Sequence, residues 1–255
     1  MVQETPVCTR LKGGVWIITL NRPHVLNALT LEMFEQLRDA IERGSREEEA
    51  EVVLLKGAGG NFCSGADLSV LGDMSKEAGA ETALTVINDF LTQLHHMPKP
   101  VIAVIEGVAV GAGLNLALHA DFVVASEDAV LQEPFVHIGL TTDFGGTYLL
   151  PRLVGLAAAK RLALLGEKLT GKEAERIGLI YKAVNTAELA DEVERLIASV
   201  RRIPKQAFRV TKEGLSRAYG MDLEQALHWE KAQQSALIAH PDFLPLVMAR
   251  RKKRE

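Results

Sequence analysis

The chain has 255 residues, 47% of them hydrophobic, a formal net charge of −4 and two cysteines. That length and apolar content supply a packed core, in one large domain or two small ones, and exclude disorder as the ground state. The mild acidity argues against nucleic acid as a partner, Cys8 and Cys63 do not make a disulfide framework or a cysteine metal site, and no apolar run reaches the roughly 18 residues of a membrane span.

The N-terminus, Met1 to Pro6, lacks a basic segment followed by an apolar stretch, so the chain reads as an unexported, cytoplasmic protein. Gly13-Gly14 leads into Val15–Leu20, a β-branched and aromatic run closed by Asn21-Arg22-Pro23, which predicts a strand. From Thr30 as N-cap, Leu31, Phe34, Leu37, Ala40 and Ile41 recur at helical steps, with Glu32, Glu35 and Arg38 on the other face. Residues 52–55 and 101–105 read as buried strands, with a helix over 82–94 between them. A short buried helix at 114–120 and a strand at 122–125 follow. Strands that alternate with helices and are apolar throughout predict a layered α/β core covered on both faces. Beyond residue 155 strand signals nearly vanish, and helices are expected over 156–165, 170–177, 189–200, 204–218 and 223–238. No composition shift marks an independent domain; residues 1–200 are assigned to the core and 201–255 to a helical C-terminal region whose basic end, from Arg250 to Arg254, reads as a solvated helix terminus.

Two glycine-bearing stretches stand out. Residues 61–68, with Ser64-Gly65-Ala66-Asp67, and 106–113, with Gly111-Ala112-Gly113, each follow an apolar run and lead toward a helix. Amides at a helix start have no partner inside the helix and carry the positive end of its dipole. Such N–H groups suit an oxygen that becomes negative during a reaction, as a thioester carbonyl does on turning into an enolate. The glycines permit unusual φ and close approach of a ligand to the backbone, although two strand-to-helix turns would use glycine in the same way. No His/Cys/Asp/Glu spacing suggests a metal, no dinucleotide loop is present, and Gly57-Ala58-Gly59-Gly60 lacks the Lys-Ser/Thr of a phosphate loop. Neither a metal nor a separate cofactor is expected. His95 and His96 read as cations at a helix end, and Cys63 as a packed rather than a nucleophilic thiol.

Taken in order, Asn27-Ala28-Leu29, Phe62-Cys63-Ser64-Gly65-Ala66-Asp67-Leu68, the run from Pro98 to Ala103, and Gly145-Gly146-Thr147 with Leu150-Pro151-Arg152 resemble the crotonase (enoyl-CoA hydratase/isomerase) superfamily over nearly the whole chain. The resemblance implies an α/β spiral of ββα repeats with a C-terminal helical trimerisation region. It also implies an acyl-CoA thioester as substrate, with coenzyme A part of that substrate, and a homotrimer or dimer of trimers. The two enolate donors would be the amides of Ala66 and Ala112. Coenzyme A and the acyl group would lie near His24, Val25, Leu26, Ala28, Ser64, Gly65, Asp67, Leu68, Gly111, Asn115 and Phe135, with Asp67 more a cap that orders its loop than a ligand contact.

The chain departs from the hydratase pattern at both glutamates that hold the attacking water, for Asn115 and Phe135 occupy those positions. Asparagine accepts no proton at neutral pH and phenylalanine does no acid/base work. Asp143, just ahead of Gly145-Gly146-Thr147, instead looks like the aspartate of the phenylacetate-degradation isomerases. A lone carboxylate suffices for a 1,3-proton shift, and Phe135, Ile138, Leu140 and Phe144 are expected to shield it from water. On the residues alone Asp143 could equally stabilise a turn. Asn115 could orient Asp143 or a ligand, or be a satisfied core group. Glu133 would need a register shift to replace a lost glutamate, and His137 is assigned no role. The expectation is therefore an enoyl-CoA double-bond isomerase. The alternatives are a hydratase or other crotonase-type lyase or hydrolase, and a non-catalytic acyl-CoA-binding scaffold.

Overall fold

The computed structural model describes residues 5–67, 69–70, 72 and 79–251. It divides into two compact units, Met1–Val200 and Arg201–Glu255.

The first unit opens with a hairpin. Strands β1 (Val7–Lys12) and β2 (Val15–Leu20) pair antiparallel across Gly13 and Gly14, whose φ of 52° and 75° lie in the left-handed region open to glycine. From β2 the sheet grows by parallel pairing through β3 (Val52–Gly57), β4 (Val101–Ile105), β6 (Phe122–Ser126) and β9 (Lys182–Val184), in the order β1-β2-β3-β4-β6-β9. A second sheet holds β5 (Val108–Val110), β7 (Val130–Gln132) and β8 (Lys168–Thr170), and the single bridge Cys63↔Ala109 adds the 61–67 segment to it. Each turn of the spiral thus gives one strand to each sheet before a helix returns the chain: β4 and β5 precede α3 (Ala112–Leu118), and β6 and β7 precede α4 (Gly146–Leu165). This is the ββα repeat that the resemblance implied.

Helix α1 (Leu31–Arg46) starts where expected, with the Thr30 hydroxyl accepting from Met33 N at 3.3 Å, and buries Met33, Phe34, Leu37, Ala40 and Ile41. It packs with α2 (Gly79–His95) through the rings of Phe34 and Phe90, whose centroids are 6.2 Å apart. Phe144 completes this aromatic trio at 5.9 and 6.1 Å. Burying such a ring is worth about 1.5–3 kcal/mol, enough to hold Phe144 at its unusual φ of 49°, a strain of about 1–3 kcal/mol. The opposite face of the large sheet is covered by α6 (Leu189–Arg201), where Leu189, Val193, Leu196 and Val200 meet Val52, Leu54, Ile102 and Val124. The two-faced burial inferred from the apolar strands is therefore present.

The late strands are where the structure departs from the sequence reading. Strands β8 and β9 lie beyond residue 155 and flank α5 (Gly171–Arg176); at three residues each they are too short to show alternation. The helix expected from 156 begins instead at Gly146, and the backbone breaks at Gly155 (φ 73°, ψ 162°) between its two halves. The second unit comprises α7 (Lys205–Arg217), α8 (Leu223–Ala239) and α9 (Phe243–Arg251). Gly214 lets α8 approach α7: a Cβ there would meet the Trp229 ring at 2.5 Å. Leu223, Leu227 and Leu244 remain more than half exposed. Among the described residues no helix is long and apolar enough to cross a membrane.

Candidate active site

The segment 61–67 is held edge to edge with two neighbours. Cys63 N donates to the Val108 carbonyl at 3.0 Å and Val110 N returns a bond to the Cys63 carbonyl at 2.9 Å. On its other side Leu29 N reaches the Gly65 carbonyl and Asp67 N the Leu29 carbonyl, each at 2.8 Å. Extended backbone alternates the direction of its polar groups, so the Ala66 N–H between these bonds points away from Leu29. Gly65, at φ 102°, sits so close to the next loop that a Cβ would stand 3.0 Å from the Val110 oxygen and 4.0 Å from Ala112 N. Ala112 is the first residue of α3, following Gly111 at φ 54°, and its N–H has no partner within the helix. Among the described residues neither the Ala66 nor the Ala112 amide has an acceptor. Gly113 packs the same helical turn against Cys63, where a Cβ would meet the Cys63 oxygen at 2.5 Å. Burial pushes the Cys63 thiol up to about 12, which leaves it a packing group, as expected.

One helical turn beyond Ala112, the buried Asn115 joins this loop pair to a second group of side chains. Its Nδ2 donates to Glu133 Oε2 at 3.0 Å, Thr142 Oγ1 at 3.2 Å and the main-chain oxygen of Asp143 at 2.9 Å. Thr142 Oγ1 donates to the same Glu133 oxygen at 2.9 Å. Gly146 is required beside them, since a Cβ there would lie 2.5 Å from both Asn115 Nδ2 and Thr142 Oγ1. Burial pushes the Asp143 carboxyl up to about 6, opposed by its own main-chain amide. Burial pushes Glu133 up further, to about 8; the Thr142 and Asn115 hydrogen bonds oppose this and the Asp143 charge adds to it. Both carboxyls are thus biased toward the protonated form, Glu133 more strongly than Asp143. Asn115 Oδ1, Glu133 Oε1 and Asp143 Oδ1 are all buried without a hydrogen-bond partner among the described residues.

The sequence-derived shield around Asp143 is only half right. Phe135 and Phe144 are buried, but Ile138 is 64% and Leu140 43% exposed, because the short 3-10 turn Phe135–Ile138 aims only its first residue inward. Phe135 lies against the donor loop, 3.4 Å from where a Gly111 Cβ would be. The Phe144 ring points into the aromatic trio, so it anchors the loop rather than walling the carboxyl.

Of the expected coenzyme A contacts, His24 and Val25 lie in the turn Pro23–Val25, and Leu26 follows at φ 53°. They adjoin Ser64, whose N donates to the Leu26 carbonyl at 3.0 Å and whose Oγ reaches the Val25 carbonyl at 3.4 Å. Ala28 is buried, and its carbonyl is taken by Arg22 Nη1 at 2.7 Å. The same nitrogen meets Asp67 Oδ2 at 2.9 Å, while Asp67 Oδ1 accepts from Ser69 N and Oγ. Arg22 is the main reason the Asp67 carboxyl is held down to about 2. Asp67 thus orders its loop, as expected, and Leu68 lies outside the described residues.

Four members of this region have parts that sequence reasoning did not assign: Arg22 and Thr142 were not singled out, Asn27 was read only as part of a motif, and Glu133 only as a substitute for a lost glutamate. Arg22 and Asn27 tie the loops together: the buried Asn27 accepts from Arg22 N and donates to the carbonyls of Ala58 and Asn61. Glu133 and Thr142 complete the carboxyl cluster. His95 ends α2, as expected, and its ring lies edge-on to those of His96, His119 and Tyr148. His119, held neutral by burial with its pKa lowered to about 4, hydrogen-bonds the Phe144 carbonyl at 3.0 Å from behind the loop. Among the described residues no group of three or more His, Cys, Asp or Glu side chains is placed to hold a metal ion.

A two-sheet ββα spiral whose glycine loops bring two main-chain amides together beside buried carboxyls is the architecture of the crotonase class. The sequence model of the enoyl-CoA hydratase/isomerase family matches residues 10–250, and the chain belongs to that family of acyl-CoA-processing enzymes. It is 39% identical to a Rhodobacter capsulatus protein named "probable enoyl-CoA hydratase", over 96% of this chain and 94% of that one. It is 34% identical to the 1,2-epoxyphenylacetyl-CoA isomerase of Escherichia coli, over 97% and 96%. The crystal structure of the enoyl-CoA hydratase from Thermoplasma volcanium superposes with a TM-score of 0.90 at 33% identity, covering 97% of this chain and 98% of that one. These names divide between hydration and isomerisation, so the choice of reaction rests on the site.

Proposed function

We propose that this enzyme is an enoyl-CoA double-bond isomerase with Asp143 as its single acid/base. The observation that carries this reading is the residue set on the two sides of the donor loops: Asn115 and Phe135 stand where a hydratase needs carboxylates, and Asp143 stands one hydrogen bond from Asn115. The Ala66 and Ala112 amides receive the thioester oxygen. Asp143, ionised near pH 7, removes a proton from one carbon of the allylic unit as the electron pair moves onto that oxygen. It then returns the proton two carbons away, so the double bond shifts and the carboxylate is regenerated. Such a base contributes about 10²–10⁴-fold, and one amide donor about 10²–10³-fold. Coenzyme A runs along residues 24–26 and 64–67 as part of the substrate, and no further cofactor takes part. The exposed leucines of the second unit fit its use in a homotrimer or dimer of trimers. The likeness to the E. coli 1,2-epoxyphenylacetyl-CoA isomerase is consistent with this reading.

Hydration is the second reading, favoured by the hydratase names among the relatives and by the presence of a second carboxyl, Glu133. That carboxyl is 1% exposed and its Oε2 is already taken by Asn115 Nδ2 and Thr142 Oγ1, which argues against its holding an attacking water. The test is to supply 3-enoyl-CoA and 2-enoyl-CoA to the wild type and to Asp143→Asn. Isomerisation by the wild type that collapses in the variant, without net water addition to 2-enoyl-CoA, is the expected result. Equal isomerisation rates in the two proteins would end the assignment.

A further inference from the structure

Glu133 is the one buried acid of the cluster for which the proton shift above has no use. One of its oxygens is fully engaged, accepting from Asn115 Nδ2 and Thr142 Oγ1. The other, Oε1, is buried and has no hydrogen-bond partner among the described residues. A carboxylate would therefore bury negative charge on an oxygen that no protein donor reaches, which is the costlier of its two forms; the neutral acid avoids that cost.

We propose that Glu133 is a positioning residue for Asp143: a carboxyl kept as the neutral acid, which braces Asn115 and Thr142 through one oxygen while the other stays buried without charge. This rests on Asp143 being the base. Asn115 and Thr142 lie between the two acids, and Asn115 also holds the Asp143 main chain at 2.9 Å, so bracing them fixes the loop from which the base projects. The environment agrees, since burial favours the protonated form of Glu133 past neutral pH.

The neighbouring charges leave Asp143 as the group that acts on it. On α3 the facing residue is the uncharged Asn115, and His119 just after that helix turns to the Phe144 carbonyl and stays neutral. His137, on the turn after Glu133, bonds the Leu165 carbonyl. His95 of α2 stacks on His119 and on Tyr148, and the Arg152 guanidinium of α4 lies over the Tyr148 ring.

Once Glu133 ionises, its buried charge and that of Asp143 repel each other. The half-buried Asp143 carboxylate swings away, and a displacement of about 1 Å at a reacting group costs about 10²-fold in rate. The wild type should therefore lose kcat above about pH 8, with KM for the acyl-CoA little changed. Glutamine keeps the acceptor for Asn115 and Thr142 and does not ionise at alkaline pH.

The experiment measures kcat and KM for 3-enoyl-CoA against pH in wild type, Glu133→Gln and Asp143→Asn, together with infrared spectra of the carboxyl region. The expected result is an alkaline fall of about 10²-fold in wild-type kcat that Glu133→Gln lacks. A protonated-carboxyl band at neutral pH should appear in wild type and Asp143→Asn and fade as pH rises through about 8. The infrared arm needs only wild type and Asp143→Asn, so it decides the matter even if Glu133→Gln does not fold. An alkaline limb unchanged in folded Glu133→Gln, or no such band at neutral pH, overturns this inference while an inactive Asp143→Asn leaves the isomerase reading standing. An active Asp143→Asn overturns both.

Discussion

The two sides of the candidate site are built from different materials. The donor side is main chain: Ala66 and Ala112 contribute amides, and their placement comes from glycines at 65, 111 and 113 that let two backbones approach within the space of a side chain. The acid side is side chain: Asn115, Glu133, Thr142 and Asp143 arrive from three segments and meet through hydrogen bonds. A main-chain site tolerates change in most side chains and fails when a Cβ is added. A side-chain site fails when a functional atom is removed.

The sharpest break of this contrast is at Asp143. Replacing it with asparagine preserves shape and removes the base, and should cost about 10²–10⁴-fold in kcat with little change in the melting temperature. On the donor side the matching variant adds atoms. Gly65→Ala forces a Cβ to 3.0 Å from the Val110 oxygen at a φ of 102°, so the Ala66 amide must shift. The expected loss in kcat is about 10²–10³-fold, the cost of one oxyanion donor. A Gly65→Ala protein of full activity would show that the Ala66 amide does not bear on the reaction.

The contrast also explains what could be read from the chain. Glycine motifs are local, so the donor loops were legible as two short stretches, and α1 was legible from Thr30 and its apolar spacing. Asp143 was visible because it stands next to Gly145-Gly146. Glu133 was considered only as a stand-in for a lost glutamate, since nothing in Gln132-Glu133-Pro134 reveals that the side chain will be 1% exposed and braced by Thr142, nine residues further on. Arg22 was hidden for the same reason: its partners Ala28 and Asp67 lie 6 and 45 residues away. Strands β8 and β9 escaped because three residues held by neighbours on a sheet need no periodicity of their own.

The acid side should leave a trace in stability as well as in rate. Glu133 is raised from 4.5 to about 8 in the fold, so its contribution to stability is present below about 4.5 and lost as pH rises toward 8. Glu133→Gln has no such loss. Its melting temperature relative to wild type should climb from acid pH to about 8 and then level off. Asp143 shifts in the same direction but finishes near 6. His119, lowered from 6.5 to about 4, contributes stability above 6.5 that falls away as pH drops toward 4. Of these three groups only Glu133 titrates between about 6.5 and about 8, and a melting-temperature difference that is flat across that window would place a charged Glu133 in the fold at neutral pH.

The smallest effect is expected where side chains support the main-chain side. Arg22 and Asp67 are about one-fifth exposed, and an ion pair of that kind contributes only about 0.2–1 kcal/mol. Arg22 also holds the Ala28 carbonyl, which joins the expected coenzyme A turn to the donor loop. Arg22→Ala should therefore raise KM for acyl-CoA by roughly three- to tenfold, the equivalent of about 0.7–1.4 kcal/mol, and change kcat much less. The reason for the split is that Leu29, Val108 and Val110 still fix the 61–67 backbone by main-chain hydrogen bonds after the guanidinium is gone. A kcat loss as large as that of Gly65→Ala would reverse the contrast, since the Ala66 amide would then depend on a side-chain clamp as much as on the sheet-like contacts that flank it.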